Sequence, residues 1–168
     1  MSKLSNPDLR FRVPVEAVNA TLKFLKHRGR SIGHEGVVLW PARLQENECR
    51  ISPTPIIPEQ ITGPRSYRIP TDESFRIIQL LHQNRMVIPI QVHSHPFEAF
   101  HSEADDELAF VQHRNGISIV VPDFADFAAT EFLQQARFYI LISGVQWDEL
   151  SRAALRQKFI FERLSWTG

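Results

Sequence analysis

The chain of 168 residues holds one cysteine, Cys49, which excludes an internal disulfide framework and a cysteine-rich zinc module and suits a reducing compartment. Any metal is therefore left to His, Asp and Glu. Lys plus Arg and Asp plus Glu both count 19, so the net charge is +0 and no overall basic field exists to hold nucleic acid or an anionic membrane surface. No run of about 18 apolar residues occurs, and the opening MSKLSNPDLRFRV lacks the apolar core of a signal peptide. The expectation is a soluble, cytoplasmic protein without membrane or nucleic-acid partners. Internal repeats and low-complexity tracts are missing too. What is there is ordinary for a globular protein, 43% hydrophobic and 23% charged, and the length suits one domain over residues 1–168.

Periodicity divides the chain into interleaved helices and strands. After a polar start, residues 15–27 (VEAVNATLKFLKH) place Val18, Leu22, Phe24 and Leu25 at helical spacing, with Gly29 as a stop. Residues 36–40 (GVVLW) read as a buried strand closed by Pro41, with Glu35 at its mouth. Residues 49–57 read as an edge or irregular strand running into a Pro-rich loop. Thr71 is a good N-cap for a helix to residue 84, with Phe75, Ile78, Leu81 and His82 on or near one face. Residues 86–92 (MVIPIQV) form a strand, and Ser102 opens a helix to about residue 113 by its Ser-x-x-Asp pattern. Two more strands are expected at 117–121 and 136–142, joined by a Phe- and Ala-rich loop or short helix. Residues 147–164 look helical. The pattern predicts an α/β or α+β fold, a mixed β-sheet flanked by helices.

The chemistry gathers at the end of the strand 86–92. His93 and His95 are two apart, so on a strand both imidazoles project to one side and can share an ion. Asp105 follows as the third residue of the helix that Ser102 caps, bringing a carboxylate toward the same point. Two nitrogens, one oxygen and a vacant fourth position make the donor set of a catalytic zinc ion; Mg2+ and Ca2+ prefer all-oxygen shells, while iron and manganese fit by ligand type. Amide hydrolysis also needs a proton carrier, for which the partly desolvated Glu35 is the candidate. Ser102 is placed to donate to an oxyanion, although its capping role by itself accounts for it.

An upstream Glu35, then His93-Ser94-His95-Pro96, then Ser102-x-x-Asp105 resembles the JAMM motif of the JAB/MPN metalloprotease family, and the likeness extends over roughly residues 14–145. The resemblance implies an MPN/cytidine-deaminase-like three-layer sandwich, Zn2+ on His93, His95 and Asp105, acid/base work by Glu35 and oxyanion stabilisation by Ser102. It further implies an isopeptidase or peptidase that cuts after the C-terminal tail of a ubiquitin-like protein, as in the small bacterial members that accompany conjugation or antiviral-defence systems with E1/E2-like proteins. Six residues separate His95 from Ser102 where the family has seven. Asp105 therefore keeps the spacing from the serine and Asp106 the spacing from the histidine; the helix cap favours Asp105, with Asp106 as runner-up.

Other readings remain for nearby residues. His101 and His113 lack the motif's spacing and read as solvated or structural. Phe97 and Phe100 are either packing residues or a substrate wall, and Trp147 and Trp166 read as packing anchors. The Pro-rich segment 53–70 is a candidate for gripping an extended substrate tail, taken up as an added strand on a sheet edge. Rival functions are a non-catalytic MPN-like scaffold and a metal-dependent hydrolase of another small amide.

Overall fold

The computed structural model describes residues 4, 6–164 and 166, with the side chains of all of these except Ala104 and Asp106. Ten strands and five helices follow in the order β1 (Arg10–Val13), α1 (Val15–Ile32), β2 (Val37–Gln45), β3 (Glu48–Ile51), β4 (Ile61–Gly63), β5 (Ser66–Arg68), α2 (Thr71–Asn84), β6 (Val87–Ser94), α3 (Glu103–Leu108), β7 (Ile117–Val121), α4 (Phe132–Gln135), β8 (Arg137–Ser143), β9 (Gln146–Glu149), α5 (Arg152–Lys158) and β10 (Phe159–Phe161). Eight strands form one mixed sheet in the order β10-β1-β3-β2-β6-β7-β8-β9, and β4 and β5 form a separate hairpin. The fold is α+β, as the interleaved periodicities imply.

Alternation along β2 divides the interior in two. Val38, Trp40 and Ala42 face the larger core, where α1 lays down Ala17, Val18, Leu22 and Leu25; Val37 and Leu39 face a smaller core with Tyr67, Ile77, Ile88 and Val111. The fully buried Trp40 anchors the larger side, its indole N–H donating to Thr21 Oγ1 of α1 at 2.8 Å. A satisfied polar tip lets so large a side chain be buried at a gain of about 2 kcal/mol or more. On β6 the register against β2 shifts between the pairs Trp40–Ile90 and Ala42–Val87, so one extra residue is absorbed around Pro89. Ile90 and Val92 thereby reach the larger core, and Gln91 and His93, on the alternate positions, turn to the other face. The face that His93 takes is thus set within β6.

Several expectations needed correction. Gly29 does not stop α1, which runs to Ile32 and ends at Gly33, in the left-handed region at φ 64° with its N–H on Gly29 O. Gly29 is needed for another reason: a Cβ there meets Phe124 Cβ at 2.2 Å. Pro41 does not close β2, because it lies at the register shift, where a missing N–H is tolerated. Thr71 is the first helical residue of α2, with Pro70 as its cap. The buried side of α2 is Glu73 and Ile77, while Phe75 and Ile78 face out. Helix α3 stops at Leu108, short of residue 113, since Ala109 is extended and Val111 N–H turns to Gln91 Oε1.

The largest correction falls on the two ends of the chain. Residues 147–164 are not one helix: β9 pairs with β8, Ser151 caps a short α5, and β10 returns beside β1. The polar start likewise contains β1, held in parallel between β3 and β10. Phe159 and Phe161 stack at 5.5 Å in that returning strand and pack on Phe11, Phe138 and Phe132. Trp166 is a packing anchor, edge-on to Phe161.

Candidate metal centre and cleft

β6 runs between β2 and β7, pairing His93 with Val37 on one side and Val120 on the other. Beyond the strand the histidine segment stays pinned: Ser94 N–H donates to Gly36 O, Gly36 N–H to Ser94 Oγ, His95 N–H to Val121 O and Phe124 N–H to His95 O. The last of these comes from three successive left-handed residues, Asp123, Phe124 and Ala125, at φ 51°, 51° and 61°. None is glycine, so the turn stores about 1–2 kcal/mol per residue, and it is held by Gly29 lying against Phe124. Strain of this kind is bearable because packing and hydrogen bonds over-determine the turn.

Asp105 arrives from the other direction through a complete capping box. Ser102 Oγ accepts from Asp105 N–H at 3.2 Å, and Asp105 Oδ2 accepts from Ser102 N–H at 2.7 Å. The sequence placed Asp105 at this third helical position, and there it stands. His93, His95 and Asp105 are all buried, and one ligand-type atom from each falls within 4.8 Å of the others. The side chain of Asp106, the runner-up, lies outside the described residues.

The donor set fits a cation by its own geometry. His93 Nε2 is 3.2 Å from Asp105 Oδ1 and His95 Nε2 is 3.4 Å from Asp105 Oδ2. Yet among the described residues neither nitrogen of the fully buried His93 ring has a hydrogen-bond partner. The two rings and the carboxylate thus come close enough together to hold one ion. Burial pushes the Asp105 carboxyl up, but the His93 charge, its contacts with both rings and the Ser102 N–H overcome this and hold it well below the usual carboxylate range. An anionic oxygen beside two imidazoles is a borderline donor set for Zn2+ or another first-row divalent ion.

Glu35 stands two residues before β2, buried to 4% exposure, its own N–H on Gly63 O of the hairpin. Burial pushes its carboxyl up to about 7, with the Asp105 charge adding and His95 and Arg65 opposing. Glu35, His95 and Ser102 line one cleft of about 440 Å³, together with Arg65, Pro96, Phe97, Glu98 and Phe100. Phe97 and Phe100 are 66% and 52% exposed, which removes them from the core and leaves them as cleft wall; Phe100 stands edge-on to His95 at 4.7 Å. His101 packs among His93, Tyr139 and Trp147, so Trp147 is a packing anchor of the loop before α3.

The Pro-rich segment is not a free loop. Gln60 caps the start of β2, accepting from Val37 N–H and donating to Val37 O, and Thr62 Oγ1 meets Arg28 and His34. Ile56 exchanges both backbone bonds with Leu39. The hairpin thus fixes Glu35, and neither Gln60 nor Tyr67 carried any spacing in the sequence that marked it. Among the described residues β5 pairs only with β4, leaving its other edge without a strand.

Residues 20–146 match the family described as prokaryotic homologs of the JAB domain. The probable metalloprotease y4jG of Sinorhizobium fredii is 30% identical over 151 residues, covering 85% of this chain and 88% of that protein. The solution structure of protein DSY2949 from Desulfitobacterium hafniense superposes with a TM-score of 0.63 at 15% identity, over 90% of this chain and 92% of the other, and bears on the fold alone.

Proposed function

The chain belongs to the prokaryotic JAB-domain family, and from that membership and its cleft we propose a zinc-dependent peptidase or isopeptidase acting behind the C-terminal tail of a ubiquitin-like protein. The observation that carries the reading is the meeting of His93, His95 and Asp105 beside a cleft whose wall holds a buried glutamate. A divalent ion held by those three residues supplies Lewis acidity, lowering the pKa of water and polarising a carbonyl. Glu35 takes the proton of the attacking water on its carboxylate and returns it to the nitrogen that departs as the C–N bond breaks. A carboxyl near 7 is suited to both halves of that exchange. Ser102 Oγ already accepts from Asp105 N–H, and its own O–H is left to donate to the carbonyl oxygen as charge develops there.

Three features support an extended tail as substrate. The edge of β5 that no described strand pairs with offers backbone groups to an added strand. Phe97 and Phe100 form an apolar wall, and Arg65 at the hairpin turn presents an exposed guanidinium to the cleft. E1/E2-like conjugation proteins would then be the chain's functional neighbours, in a reducing, cytoplasmic setting. The test is a ubiquitin-like protein extended at its C-terminus, incubated with purified protein, with chelator and with Glu35→Gln. Cleavage after the tail, lost in both controls, is the expected result. No cleavage of such a fusion, with turnover of a small amide instead, overturns the substrate assignment.

A further inference from the structure

Beside the metal centre, both ring nitrogens of His93 and the hydroxyl of Tyr67 are buried and have no hydrogen-bond partner among the described residues. Their rings are in contact, with centroids 5.2 Å apart and planes tilted by 42°. Nε2 of His93 is the nitrogen turned to Asp105, so Nδ1 is the one left over. A ligating imidazole holds its ring orientation and tautomer through the hydrogen bond its second nitrogen makes. For His93 the flanking strands supply Val37 and Val120 at the paired positions, which offer no side-chain acceptor.

Tyr67 is 3% exposed, on β5, with Val37, Leu39 and Ile77 in the smaller core. A phenol in so apolar a setting is costly unless its hydroxyl has a partner, and phenylalanine fills the same space without that cost. The hairpin bearing Tyr67 is the one that holds Glu35 through Gly63.

We propose that Tyr67 is a positioning residue, its hydroxyl oxygen accepting from a single water that in turn accepts from His93 Nδ1–H, so fixing Nε2 toward the ion. This rests on the metal-centre reading above. It couples the substrate-side hairpin to the metal ligands, since a shift of β5 turns the His93 ring.

The test uses Tyr67→Phe, which keeps the ring and removes only the oxygen. Protein stripped with chelator is titrated with Zn2+ against a competing chelator, and the His93 nitrogens are followed by long-range 1H–15N spectra. The variant is expected to bind Zn2+ about tenfold to a hundredfold more weakly, with the His93 Nδ1 resonance displaced and that of His95 unchanged. Equal affinity and an unmoved His93 spectrum overturn the pairing, since ring packing alone is the same in both proteins. Should wild-type protein itself bind no Zn2+, the metal centre falls; the pairing is then judged on the stripped protein's His93 spectrum. In wild-type protein a slowly exchanging Tyr67 hydroxyl proton with a cross-peak to the His93 ring is expected, and its absence overturns the pairing without any variant.

Discussion

Replacing Gly29 by alanine puts a methyl group 2.2 Å from Phe124 Cβ and 2.6 Å from its Cγ. Phe124 Cβ is no flexible tip: it sits on backbone in the left-handed turn Asp123–Ala125, so either α1 lifts or the turn moves. Movement of the turn strains the Phe124 N–H to His95 O bond of 2.8 Å. In an isolated helix the exchange would gain about 1 kcal/mol from propensity. Against this stand about 1–3 kcal/mol of overpacking and about 1 kcal/mol for the hydrogen bond. The variant is expected to be less stable by about 1–3 kcal/mol, seen in urea unfolding as a lower midpoint at constant slope and as a melting temperature lower by roughly 2–10 °C. Gly33→Ala is the control: among the described residues, its chain neighbours aside, nothing lies within 4 Å of an added Cβ, and the cost is that of φ 64° alone, about 1–2 kcal/mol. A Gly29→Ala protein as stable as wild type would refute the close approach and return Gly29 to a mere weak point in α1.

Other outcomes follow from the site. His93→Ala, His95→Ala and Asp105→Ala should each empty the metal site, measured as metal per chain after dialysis, whereas Asp106→Ala should keep it. Glu35→Gln should retain the metal and lower turnover by about 10²–10⁴-fold. In stripped protein the same variant should be more stable than wild type at pH 8: the folded pKa of Glu35 is raised, so its contribution is complete below the unfolded value near 4.5 and is lost as pH rises through about 7. Chemical denaturation at pH 4 and pH 8 checks this, and an equal difference at both would refute it. Cys49 is fully buried and burial pushes its thiol up to about 12, so a thiol reagent at pH 8 should label the protein only after unfolding.

The centre was readable because each of its constraints is local. Side chains two apart on a strand share a face, which pairs His93 with His95, and a Ser-x-x-Asp cap fixes the third helical residue, which delivers Asp105. Strand 117–121 and helix 71–84 were legible for the same reason, each being bounded by its own neighbours. The face of α2 was not, because apolar residues lie all around it; Glu73 is buried only because Glu59 N–H and Arg76 come to its carboxylate.

What the sequence alone determined is the donor set, the histidine pair and cap, and an α+β fold with a glutamate at the mouth of a strand. The tertiary structure decided the rest. β1 and β10 exist because distant segments pair with them, and residues 147–164 read as one helix until Phe159 and Phe161 find Phe11 and Phe138. Gly29 became a contact, the Pro-rich segment a brace for Glu35, and Tyr67 a neighbour of His93 in the same way. Periodicity reports how one segment can bury itself, while a contact between segments depends on what lies opposite, which no window along the chain contains.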